Sequence, residues 1–138
     1  MVLIQAVIET IRNCPVVLDM PVMVEVLPEK EGMLCLSALP ETDVVQQYAD
    51  GGSLRQFAFL VSMRGNADVA KGGHGVALLC DLGVYLTGTK VKLPALAAGK
   101  TALRFEVLET PCVVSNTYGS FRCEMKCRFI YYQEGDEI

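Results

Sequence analysis

Apolar and charged positions alternate along residues 121–132, FRCEMKCRFIYY. Phe121, Cys123, Met125, Cys127, Phe129 and Tyr131 are apolar or aromatic, while Arg122, Glu124, Lys126 and Arg128 between them are charged. Side chains alternate across a strand with period two, so the pattern predicts one long β-strand with a dry face and a charged face. Such a strand belongs in an antiparallel sheet whose one face rests on a core.

The remaining pattern supplies what that core contains. Residues 2–13 carry Leu3, Ile4, Val7, Ile8 and Ile11 at helical spacing, and Pro15 ends that helix. Residues 22–27 and 33–39 are apolar runs around a polar turn at 28–32, which reads as a hairpin. Residues 41–53 read as an irregular connection ending in Asp50-Gly51-Gly52-Ser53, where glycine permits positive φ. A third strand follows over 54–64, with Phe57, Phe59, Val61 and Met63 on one face. Its other face is also weakly polar, which places it centrally or beneath a helix.

Residues 65–75 read as loop, with Asp68 a helix cap, and 76–86 as a second helix burying Val76, Leu79, Cys80, Gly83 and Leu86. After a connection at 87–99, a strand over 103–109 turns Leu103, Phe105 and Val107 inward. Pro111 is expected to interrupt it, with 112–115 continuing as a short strand. Residues 116–119 turn into the final strand, and the acidic tail 134–138 is expected to fray. Helices are too few to cross over between parallel strands. The expected fold is therefore α+β: a single domain over 1–138, with a mainly antiparallel sheet of about four or five strands and two helices packed on one face.

Composition narrows the function classes. With 51% hydrophobic and 20% charged residues among 138, the chain is globular rather than disordered. A net charge of −4 without a basic stripe argues against specific nucleic-acid binding. No apolar run reaches the roughly 18–20 residues of a membrane span, so no membrane partner is expected. The N-terminal stretch reads as an amphipathic helix rather than a signal peptide, which puts the six cysteines in a reducing compartment. Cys14, Cys35, Cys80, Cys112, Cys123 and Cys127 read as packed free thiols. Cys123 and Cys127 lie about 13 Å apart along a strand, beyond the roughly 7 Å a disulfide spans.

Candidate chemistry is sparse. His74 sits in Gly72-Gly73-His74-Gly75 with no nucleophile or orienting carboxylate implied, and the run lacks the lysine and hydroxyl of a phosphate loop. Asp43, Asp50, Asp68 and Asp81 form no close acidic motif. No catalytic, cofactor-binding or metal-ligating residue is assigned, and no enzyme is expected. Arg55, Arg64, Arg122, Lys126 and Arg128 remain as a strand surface, either solvated or meeting another subunit.

Two segments carry a family resemblance: Tyr48-Ala-Asp-Gly-Gly-Ser-Leu-Arg-Gln-Phe-Ala-Phe59, and the ending from Tyr118 to Gln133 with its Arg-Phe-Ile-Tyr-Tyr-Gln close. Over nearly the whole chain, including the opening helix that ends at Pro15, it resembles the small minor capsid or tail-terminator proteins of long-tailed phages and prophages. Residues 65–75 lack the aromatic loop of that family. The resemblance implies a tail-terminator-like virion protein made in the bacterial cytoplasm. It would form a ring, expected to be a hexamer, at the head-proximal end of the tail. There it would meet the major tail-tube protein below and a head-completion or connector protein above. Expected subunit-contact residues are Asp50, Gly51, Gly52 and Arg55, with the Asp50–Ser53 turn letting the preceding arm swing, and Arg122, Glu124, Lys126 and Arg128 on the last strand. The alternatives are another head–tail connector component, or a monomeric ligand-binding or adaptor domain with a pocket between helices and sheet.

Overall fold

The computed structural model describes residues 3–17, 22–24, 34–66, 74–117 and 120–135. Helix α1 (Leu3–Arg12) ends in one 3-10 turn at Pro15–Val17, and strands β1 (Val22–Val24), β2 (Leu34–Ala38), β3 (Val44–Gln47) and β4 (Ser53–Asn66) follow. Helix α2 (His74–Thr87) then leads to the long strands β5 (Lys100–Thr117) and β6 (Ser120–Gln133). One six-stranded sheet runs β1-β2-β4-β6-β5, with β3 also paired to β4. The class is the expected one, α+β around a mainly antiparallel sheet. The sixth strand is β3, inside the stretch 41–53 whose turn residues mask a four-residue strand.

The alternation along 121–132 does organise the fold. Strand β6 lies between β4 and β5, antiparallel to both, from Ser53↔Gln133 to Asn66↔Ser120 on the β4 side. On its odd face Cys123, Met125, Cys127, Phe129 and Tyr131 are buried, joined by Phe59, Val61 and Met63 of β4. Both helices cover this face: Val7, Ile8 and Ile11 of α1 and Leu79, Leu82 and Leu86 of α2 belong to the same core. The aromatic centre is Phe105 against Phe129, ring centroids 4.8 Å apart, with Phe59 edge-on to Phe105 at 6.2 Å.

Four expectations are corrected. Strands β1 and β2 pair in parallel, Val22↔Leu34 to Val24↔Leu36, so they are not a hairpin. Apolar alternation reads the same in either chain direction, and only the turn signal suggested reversal; the turn at 28–32 lies outside the described residues. Pro111 does not interrupt β5, which runs unbroken through it. That strand is the sheet edge and its register shifts between Glu109 and Cys112, where a residue without an N–H costs no ladder bond. Leu103 is 39% exposed because it is the extra residue of a bulge between Ala102 and Arg104, whereas Phe105 is buried as expected. On α2, Cys80 faces outward and Leu82 takes a place in the core.

The loop and cap expected around Asp68, and the turn at 118–119, lie outside the described residues, as does 136–138 of the tail. Gly65 and Asn66 still belong to β4. Glu134 and Gly135 are held rather than frayed. The Glu134 N–H donates to the Gly99 carbonyl at 2.8 Å, and Gly135 lies so close to Gly51 that a Cβ on it would come within 2.7 Å of the Gly51 backbone.

Candidate assembly surface

The expected contact residues fall into two places, the β3–β4 turn and the even face of β6. The turn is tight. The Tyr48 N–H donates to the Gly52 carbonyl at 2.9 Å, and the Gly51 N–H donates to the Tyr48 carbonyl at 3.1 Å. Asp50 caps it by accepting the Gly52 N–H at 2.9 Å, and Gly51 adopts φ +91°, a conformation only glycine takes cheaply. Tyr132 lies directly over Gly52, where no Cβ fits, and its ring meets Tyr48 at 6.2 Å. This is a closed hairpin turn clasped by the last strand. Arg55 is tied into the same corner, its Nη1 2.8 Å from Asp43 Oδ2 and its Nε donating to Ser53 Oγ at 2.9 Å.

The even face of β6 is a paired charge lattice rather than a row of free ends. Arg128 donates from Nη2 and Nε to Glu106 Oε1 at 2.8 and 3.1 Å, and from Nη1 to Gln56 Oε1 at 3.1 Å. Arg104 adds a bond to Glu106 Oε2 at 2.7 Å. Donation from Arg128 holds the Glu106 carboxyl below its ordinary pKa; partial burial opposes this, and Arg104 reinforces it. Lys126 reaches Glu41 at 3.1 Å. Arg122 Nε lies 3.0 Å from Glu124 Oε1, but its N–H is not aligned on any acceptor, so this contact is ionic only. Beneath these groups Cys35, Ala58, Ser62 and Ile130 are buried, so the long charged side chains roof a second buried layer.

The surface that alternation did not reveal is apolar. Val45 of β3 and Leu103 and Leu108 of β5 are each the extra residue where a register shifts, and each is about two-fifths exposed. Bulges re-aim side chains off a sheet, and at these three of the five register shifts in β3 and β5 the side chain aimed outward is apolar. Beside β5 an open groove of about 590 Å³ separates it from α2. At Gly83, on its lining, the helix packs closely on the sheet: a Cβ there would touch Met125 Sδ and Val107 Cγ2, each at 3.3 Å. The small flanking residue Cys80 leaves space alongside. Val84 on its wall is 71% exposed.

Among the described residues no cluster of three or more histidine, cysteine or acidic side chains is placed to hold a metal ion. No helix among them is long and apolar enough to cross a membrane. No protein-family model matches the chain. No curated protein matches it. Among solved structures, the fold is similar to that of a chain in "Virion of native gene transfer agent (GTA) particle", with a TM-score of 0.61 and 20% identity over 94% of each chain. At that identity the likeness is one of fold.

Proposed function

We propose that this chain is a structural virion protein of a phage or prophage, a tail-terminator-like subunit that forms a ring between tail tube and head. The observation that carries the reading is the fold shared end to end, over 94% of both chains, with a component of a virion particle. The sequence resemblance at 48–59 and 118–133 points the same way. A structural role fits a sheet surface on which Arg55, Arg104, Lys126 and Arg128 are held in ion pairs. In this reading the ring, a hexamer, stops tube growth and offers its outer rim to a head-completion protein.

Light scattering after size exclusion, with negative-stain imaging, tests the ring. A hexamer of a 15.0 kDa chain has a mass of about 90 kDa. A closed ring of that mass supports the proposal, and a species fixed at the monomer mass at every concentration, alone or with tail tubes, refutes it.

A further inference from the structure

Resting on that assembly reading, in which the Asp50–Ser53 turn lets the arm before it swing, we propose that Tyr132 and residues 134–135 latch that arm. With the latch seated, β3 lies closed against β4. With it lifted, β3 opens about its base while the rest of the sheet stays folded.

Strand β3 has little of its own to hold it. None of its four residues is buried, its register slips between Val44 and Gln46, and among the described strands it pairs only with β4. Elements with few buried contacts open locally at small free-energy cost. The base of the arm, by contrast, is fastened to the sheet. The Gln56 N–H donates to the Asp43 carbonyl and Gln56 Nε2 to the Thr42 carbonyl, each at 2.7 Å. Arg55 pairs with Asp43, and Lys126 with Glu41.

The tip is fastened by a different part of the chain. Tyr132 fills the space over Gly52, and its ring meets that of Tyr48. Just beyond it Gly135 abuts Gly51, so closely that a Cβ on Gly135 would lie 2.7 Å from the Gly51 carbonyl carbon. The latch is itself seated by the Glu134 N–H, which donates to the Gly99 carbonyl at 2.8 Å. Both turns that receive it are shaped by glycine, with φ of +91° at Gly51 and +84° at Gly99. Base and tip are thus held by separate sets of contacts, and losing the tip set frees a strand that buries nothing.

Hydrogen exchange on the full chain tests the latch. Gly135→Val drives a branched side chain into the Gly51 backbone, and Glu134→Pro removes the N–H that seats the segment without adding a clash at Gly51. Each should speed exchange of the Tyr48 and Gly51 amides, which bond within the turn, on the order of tenfold or more. Amides at the centre of β4 and β6 should keep their protection in both variants. If the Tyr48 and Gly51 amides are unmoved in both, the base alone holds the arm and the latch is overturned. If every strand loses protection together in both, the segment is an ordinary part of the fold and the latch is again overturned. Light scattering on the same variants separates this result from the ring reading. A ring lost together with arm protection supports both proposals. A ring that survives a freed arm leaves the latch standing and removes the arm from the subunit contact, and a wild-type chain that forms no ring refutes the ring without touching the exchange result.

Discussion

Replacing Cys127 with serine swaps a thiol for a hydroxyl in the driest part of the sheet. Cys127 is fully buried, and its register neighbours are Phe59 on β4 and Val107 on β5. Burial alone pushes its thiol pKa up to about 12, which marks the site as hostile to polarity. The surrounding side chains are apolar and the backbone groups on either side are already used in strand pairing, so the new hydroxyl is poorly satisfied. Stranding it costs about 1–3 kcal/mol. For a chain of this length that is a fall in melting temperature of about 3–10 °C. Urea unfolding followed by circular dichroism measures it, with Cys127→Ala as the control that removes the sulfur without adding a polar atom. Serine is expected to be worse than alanine, with the slope against urea unchanged. Serine equal to wild type, or better than alanine, would refute the claim that the odd face of β6 is dry.

Four further outcomes follow from the same geometry. Ellman's reagent should label Cys80 and Cys112 at once and leave Cys14, Cys35, Cys123 and Cys127 protected until the chain unfolds; a third fast thiol would contradict the burial pattern. Those four thiols have raised pKa values, so the stability they contribute is whole below the ordinary value of 9.0 and is lost as pH climbs above it, which a series of melts from pH 8 to pH 11 reads directly. Glu106 has a lowered pKa, so its contribution is present above 4.5 and disappears as pH falls through the depressed value; Glu106→Gln should flatten that acid limb, and an unchanged limb would discount the Arg128 bond. Gly52→Ala should destabilise by about 1–3 kcal/mol because its Cβ meets the Tyr132 ring, and Tyr132→Leu in the same chain should recover part of the loss in thermal melts.

Alanine at Gly51 and Gly52, and glutamate at Arg122 and Arg128, are the direct tests of the contact residues that the family resemblance implies, but they also strike the fold. Gly51 carries a left-handed conformation, Gly52 lies against Tyr132, and Arg128 is bound to Glu106 and Gln56.

What the sequence made legible was periodicity. The odd face of β6, the matching face of β4 and the stripe of α1 are written directly in residue order, because burial on one face leaves a period of two or 3.6. Direction and register are not written there. Strands β1 and β2 look the same read either way, and the parallel pairing emerges only from tertiary contacts. Bulges break the period where they occur, so alternation predicts Leu103 inward and Pro111 as a stop, although an edge strand accommodates both. The charged face was visible as charges, but Glu41 meets Lys126 across 85 residues of chain, and no local pattern predicts that. The groove was invisible for a related reason. It is lined by Gly83, Val107 and Met125, residues far apart in sequence.

The most direct measurement of the central claim is where the protein sits in an assembled particle. Immunogold or a tagged chain imaged on intact virions should give one cluster of label at the junction of tail and head, and none elsewhere. Label spread along the tube, confined to the distal tip, scattered over the capsid, or absent from particles altogether would contradict the terminator reading.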